Sequence, residues 1–181
     1  VGARTDGYGQ STLDISHNTL TAADFSANIV AVFGSGGFIN ESAAILVHNF
    51  NTSGYSISNI SYNNILEGRV GSTTYRYQRG IYAVSILVSI TNNNITGLID
   101  GATTTYGIYA ENFGGKINDN IVSRRGVSIR SYIVASGLGS SGEVVGNFLD
   151  SSYVDAGNTD YACAIFSNNN VIVTRNRNHI N

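Results

Sequence analysis

The sequence predicts an all-β fold, a parallel β-helix in which short strands wind as a solenoid around one narrow apolar core. Three observations predict it. A tetrad of the form apolar-x-x-Asn recurs through the chain, the segments between copies are β-rich, and no stretch carries helical periodicity. The first copy is Ile15-Ser-His-Asn18-Thr-Leu20, followed by Ile60-Ser-Tyr-Asn63-Asn-Ile65 and Ile90-Thr-Asn-Asn93-Asn-Ile95. Ile117-Asn-Asp-Asn120-Ile-Val122 and Val144-Val-Gly-Asn147-Phe-Leu149 continue it, and a degenerate Val173-Thr-Arg-Asn176 comes last. The Asn-to-Asn steps are 45, 30, 27, 27 and 29 residues, steady apart from the first, so the solenoid has about six coils.

A second element recurs between the copies. It reads Ala44-Ile-Leu-Val-His-Asn49, Gly80-Ile-Tyr-Ala-Val-Ser85 and Gly107-Ile-Tyr-Ala-Glu-Asn112, with looser versions at Tyr132–Ser136 and Ala164–Asn168. Each period therefore holds two or three short strands rich in Ile, Val and Tyr, broken by Gly, Asn and Ser. Parallel strands in an ordinary sheet need crossovers of a dozen or more residues, usually helical, and this chain offers no helix. A coil of 27 to 30 residues removes the need, because the chain returns to pair with itself one turn later. Stacking at about 4.8 Å then places equivalent residues above one another. Ile, Val and Leu would fill the inside. Asn18, Asn63, Asn93, Asn120, Asn147 and Asn176 would form a ladder at a bend, where Asn tolerates left-handed backbone and bonds to its copies above and below. Gly80 and Gly107 are expected to mark a second tight corner. The alternative, an antiparallel sandwich, does not require one tetrad at a fixed spacing.

Residues 1–181 read as one domain, expected to be a fragment of a longer chain because it opens abruptly at Val1 and the repeat has no terminator or cap at Asn181. Segment 21–42 reads as an insertion in the first coil, with Ile29–Phe33 a strand of its own, and 69–78 and 154–159 as smaller excursions. Such insertions tend to build one face, often the binding face.

Composition narrows the function classes. Apolar residues make up 42% of the chain and charged residues 12%, against a usual charged share of about 25%. A formal charge of −2 with scattered basic residues argues against a nucleic-acid partner. No apolar run reaches about 18 residues, so no membrane insertion is expected. The single cysteine, Cys163, excludes an internal disulfide framework and reads as a small buried apolar residue. His17, His48 and His179 have no ligand spacing, so neither a metal site nor a cofactor is expected.

The alternation of Gly-Ile-Tyr-Ala, at Gly80 and Gly107, with Ile-x-x-Asn-x-Ile over most of the chain resembles the right-handed, single-stranded β-helices of the pectin-lyase-like superfamily. Within that group the low charge, the wealth of Ser, Thr, Asn and Gly and the scarcity of Cys look most like bacteriophage tailspikes and tail adhesins. The resemblance implies a homotrimer on the virion tail surface, an extracellular setting, and a host cell-surface polysaccharide as ligand. It also implies, in many members, endoglycosidase or lyase activity. Solenoids of this kind specify architecture better than function. The plant-type pectinolytic motifs fail here: Asn158-Thr159-Asp160 matches one of four polygalacturonase motifs and the other three are missing. The Pro-containing motifs of pectate lyases and alginate epimerases have no counterpart in a chain without Pro.

Three readings of function follow: a polysaccharide-binding segment of a tail adhesin, the catalytic portion of a polysaccharide depolymerase, and a bacterial surface adhesin with no enzymatic role. Glycosidic hydrolysis would need two carboxylates roughly 5 to 9.5 Å apart. Glu111 is the candidate catalytic carboxylate. Strand alternation turns Ile108 and Ala110 inward and Tyr109 and Glu111 outward, with Tyr82 stacked on Tyr109, so the outer wall should show two exposed rings beside an acid. Ring faces cover the apolar side of a pyranose and a carboxylate bonds its hydroxyls, so Tyr82 and Tyr109 are candidate sugar contacts. The bland reading is strand-face filling or subunit packing. Arg124 and Arg125 are candidates for an acidic sugar, with Glu67 expected level with Arg124 two coils away, or simply a solvated turn. Lys116 and Glu143 should form a cross-strand ion pair of little energetic weight. The rod would be only about 30 Å long.

Overall fold

A computed structural model describes residues 2–5, 12–21, 27–33, 43–49, 57–68, 79–84, 87–98, 106–111, 114–124, 131–136, 142–151, 165–167 and 171–180. The chain opens with β1 (Gly2–Thr5), β2 (Thr12–Ser16) and β3 (Thr19–Thr21), and β4 (Ala27–Phe33) follows. The second turn holds β5 (Ala43–Asn49), β6 (Ile57–Ser61) and β7 (Asn64–Gly68), and the third β8 (Arg79–Val84), β9 (Val88–Thr91) and β10 (Asn94–Leu98). The fourth holds β11 (Tyr106–Glu111), β12 (Lys116–Asn118) and β13 (Ile121–Arg124). The last two are β14 (Ser131–Ser136), β15 (Gly142–Val145) and β16 (Phe148–Ser151), then β17 (Ile165–Ser167), β18 (Val171–Thr174) and β19 (Arg177–Ile180).

From β5 onward every third strand joins the same sheet. The first sheet runs β1-β4-β5-β8-β11-β14-β17, the second β2-β6-β9-β12-β15-β18 and the third β3-β7-β10-β13-β16-β19. Each neighbouring pair is parallel, as in β5 with β8, β6 with β9 and β7 with β10. The described residues thus form a parallel β-solenoid without helices, and an antiparallel sandwich is excluded. Strand β4 lies between β1 and β5 in the first sheet only, while β2 pairs directly with β6 and β3 with β7. Its offset of 16 residues from β5, seen in Ile29 against Ile45, accounts for the long first step. The rest of segment 21–42, beyond Thr21 and 27–33, lies outside the described residues.

One core joins the three sheets. The second sheet contributes the column Ile15, Ile60, Ile90, Ile117 and Val144, and the third Ile65, Ile95, Val122 and Leu149. The first sheet sets a bulky column, Ile45, Ile81, Ile108 and Ile133, beside a small one of Val47, Ala83, Ala110 and Ala135. Identical neighbours one rung apart let β-branched side chains share one rotamer and pack without gaps.

The asparagine ladder runs through all six rungs. Each Nδ2 donates to the next Oδ1: Asn18 to Asn63 at 2.9 Å, Asn63 to Asn93 at 2.9 Å, Asn93 to Asn120 at 3.0 Å, Asn120 to Asn147 at 2.9 Å and Asn147 to Asn176 at 2.8 Å. The same Oδ1 also accepts the backbone N–H of the Asn before it, as Asn120 does from Asn93 at 2.9 Å. The second Nδ2 proton goes back to a carbonyl of the previous rung, from Asn120 to Ile90 at 2.9 Å and from Asn147 to Ile117 at 2.8 Å. Four hydrogen bonds therefore satisfy each interior amide, which is why Asn63, Asn93, Asn120 and Asn147 can be buried without penalty.

Two local expectations are corrected. The left-handed backbone falls on the residue before each ladder Asn: His17, Tyr62, Asn92, Asp119, Gly146 and Arg175 all have φ between 55° and 71°. The residue whose side chain points outward takes up the bend, and this leaves the Asn amide turned inward in the plane of the stack. Gly80 and Gly107 lie inside β8 and β11, and Gly80 is no turn residue. A Cβ on Gly80 would come within 2.7 Å of both the Gly107 carbonyl oxygen and Ile95 Cγ2, so close approach to the third sheet is what requires glycine.

Replacing Asn120 by Ala should strand the Asn93 N–H and Nδ2 donors and the Ile90 carbonyl, at a cost of about 3 kcal/mol or more in urea unfolding. Asn176→Ala, on the partly exposed last rung where water can substitute, should cost less than half as much. Equal losses at the two positions would mean the ladder is not the stabilising element.

Candidate functional site

The outer wall of the first sheet carries the group that alternation turned away from the core. Tyr82 lies in register with Tyr109, and Glu111 sits level with Val84 on one side and Ser136 on the other. The two rings meet edge to face, with centroids 5.4 Å apart and planes at 70°. The Tyr82 hydroxyl donates to Glu111 Oε2 at 2.9 Å. This bond ties an aromatic residue to a carboxylate one rung away and one column across.

Both rings were expected to be exposed, and Tyr82 is not. It is 6% exposed and packs in a second apolar cluster with Ala43, Leu46 and Val84, against which Tyr109 is half-buried. The outward positions of β5 and β8 include Leu46, Tyr82 and Val84, with the buried His48 level with Val84, so this part of the wall forms a satellite core. Tyr82 thus offers no ring face to a sugar; its hydroxyl holds Glu111 in place, and among the described side chains of β8 and β11 the half-buried Tyr109 and Glu111 are the ones that reach the surface.

The arginine pair is placed only in part. Arg124 ends β13, with its side chain outside the described residues, as is Arg125 altogether. Arg124 is level with Gly68 and not with Glu67, because Leu98 pairs with both Gly68 and Arg124 across an irregularity between Ile95 and Leu98. A bulge there shifts the register by one residue, which equal spacing in the sequence does not reveal. Cys163, the excursions 69–78 and 154–159 and the triplet at 158–160 also lie outside the described residues.

The expected ion pair is present on the second sheet: Lys116 and Glu143 are in register, with Nζ 3.6 Å from Oε1. Asn118 Nδ2 donates to the same oxygen at 2.7 Å. The histidines sit on three separate parts of the solenoid. His48 is buried on the first sheet, His17 stacks on Tyr62 at the ladder corner, and His179 contacts Asp150 at 3.0 Å on the third sheet. Among the described residues no three of His, Cys, Asp and Glu converge.

The acids are dispersed as well. Glu111 is the one carboxylate in the described strands of the first sheet, whereas Asp14 and Glu143 belong to the second, Glu67 and Asp150 to the third, and Asp119 to the corner between those two. Sequence reasoning passed over the corner that carries His17 and Tyr62, whose rings stack with centroids 5.1 Å apart and planes 2° from parallel. The signal was the position immediately before each ladder Asn. No family model, no curated protein and no solved structure matches this chain.

Because Tyr82 is core, Tyr82→Ala should cost about 3 kcal/mol of stability, as truncation of a buried aromatic does. Tyr82→Phe should cost only about 1 kcal/mol, the loss of one hydrogen bond. Thermal and urea unfolding check both; a stable Tyr82→Ala variant would return the ring to the surface.

Proposed function

We propose that this chain is a segment of a right-handed, single-stranded β-helix in a phage tail adhesin, and that it binds host cell-surface polysaccharide at the virion tail surface. The observation that carries the reading is the Tyr109–Glu111 pair on the outer wall of a rigid, charge-poor rod, with Glu111 held by the Tyr82 hydroxyl. A half-exposed ring beside a fixed carboxylate offers a sugar both an apolar face and a hydroxyl acceptor, and fixing the carboxylate beforehand lowers the entropy cost of binding. The right hand follows the strong preference of parallel strands for right-handed crossovers.

Binding is favoured over glycosidic hydrolysis because hydrolysis needs a second carboxylate nearby, and Glu111 has no acidic neighbour in the described strands of its sheet. The homotrimer rests on the resemblance to tailspikes.

An array of bacterial surface polysaccharides should retain the purified chain and leave polymer length unchanged on chromatography. Tyr109→Ala should weaken retention about tenfold and Glu111→Gln by less, in line with loss of a ring platform against loss of one charge-assisted bond. Shortened products abolished by Glu111→Gln would replace the binding rod with a depolymerase. Retention by no polymer would end the glycan reading.

Sedimentation equilibrium should give three times the 19.2 kDa chain mass. A monomer at every working concentration would remove the trimer.

A further inference from the structure

The best-defined exposed surface lies elsewhere, along the corner between the second and third sheets. The residues just before and just after each ladder Asn lie on the outside there, a pair of side chains per rung except where Gly146 supplies none, while the interior Asn63, Asn93, Asn120 and Asn147 are buried between them. Cross-rung backbone bonds fix the first column, such as Tyr62 N–H to Thr91 O at 3.2 Å and Asp119 N–H to Val145 O at 3.0 Å. Strand register fixes the second, through Asn64 with Asn94, Asn94 with Ile121, Ile121 with Phe148 and Phe148 with Arg177.

The composition of this ridge changes along the rod. Its first rungs present the stacked His17 and Tyr62, the latter 56% exposed. Amides follow: Asn92 is exposed, and Asn94 Nδ2 donates to Asn64 Oδ1 at 3.0 Å, which ties these two partly exposed amides together. Ile121 and Phe148 then form an exposed apolar pair, 45% and 38% accessible, and Arg175 and Arg177 occupy the last rung. Three of the five large apolar side chains exposed among the described residues stand on this ridge, Tyr62 in its first column and Ile121 and Phe148 in its second. Neither arginine is ion-paired among the described residues: Asp119 on the ridge is two rungs from Arg175, and Asp150, one rung from Arg177 and beside the ridge, contacts His179 at 3.0 Å.

We infer that this ridge is a binding track for a linear acidic polysaccharide lying along the solenoid axis, an inference that rests on the glycan-binding reading and gives it a second site and a ligand class. The rung spacing of about 4.8 Å is close to the length of one pyranose in an extended chain, so successive rungs meet successive sugars. Tyr62 and the Ile121–Phe148 pair cover apolar sugar faces. Asn64, Asn92 and Asn94 bond hydroxyls, and the arginines take a carboxylate with paired N–H donors. Asp119 repels the acid from mid-ridge and so sets the register of the repeat, with an acidic unit at the Arg175–Arg177 end. Left-handed backbone pinned by the ladder holds the track rigid before binding.

The test uses affinity electrophoresis in gels containing bacterial capsular polysaccharides, some uronate- or sialate-bearing and some neutral, with dextran as the neutral reference. The parent chain should be retarded by acidic polymers and not by dextran. Tyr62→Asn, which keeps a residue tolerant of left-handed backbone, and the double variant Arg175→Gln/Arg177→Gln should each weaken retardation about tenfold. The double variant should also lose most of its salt dependence. Circular dichroism identical to the parent confirms that the solenoid is intact. Equal retardation by neutral polymers, or unchanged retardation in both variants while Tyr109→Ala weakens it, overturns the ridge and leaves the glycan reading standing. Retardation by no polymer overturns both.

Discussion

The amide stack at one corner is the interaction on which the rest of this molecule depends. A parallel solenoid must turn its chain at every coil without burying unpaired backbone groups. Here the turn is closed by a side chain that copies the hydrogen-bonding pattern of the backbone and repeats it from rung to rung. Each interior Asn uses both amide protons and accepts two donors at Oδ1, so no rung can be removed without leaving polar groups of its neighbours stranded. Such a chain of aligned dipoles also strengthens itself cooperatively in a low-dielectric interior. The apolar columns supply bulk stabilisation, but Ile over Ile would tolerate a slip along the strand far better than amide over amide.

The ladder also decides what the surface displays. Holding the Asn side chain inward requires the residue before it to adopt left-handed backbone, at about 1–2 kcal/mol for a residue other than glycine. Five of the six rungs carry such a residue, and each places its side chain outward beside the ladder. A constraint of folding thereby produces a straight exposed ridge. The first sheet behaves differently, because part of its outer wall is apolar enough to make a second core around Tyr82 and Leu46. A ring that alternation directs outward is then withdrawn from solvent, and its hydroxyl serves Glu111 instead.

Low charge fits this design. Stacked rungs place identical positions about 4.8 Å apart, so repeated charges would repel along the whole rod. Neutral hydrogen-bonding side chains avoid this, and where charges do face each other they alternate, as with Lys116 and Glu143.

By itself the sequence determined the parallel solenoid, the membership of the ladder and the cross-strand partners of Glu111 and Lys116, because a repeat copied at nearly constant spacing is a register written in residues. It also contained a strand at Ile29–Phe33, whose β-branched run is legible locally, though neither its start at Ala27 nor the sheet it would join. Tertiary structure alone decided that Tyr82 is buried, since alternation tells which way a side chain points and not what lies over it. It decided that Arg124 stands level with Gly68, because a bulge changes register without changing composition. It also moved the left-handed residue one place ahead of the Asn and gave Gly80 a packing role. Both depend on distances between rungs and sheets, which are properties of the assembled coil and have no counterpart in the linear order of the chain.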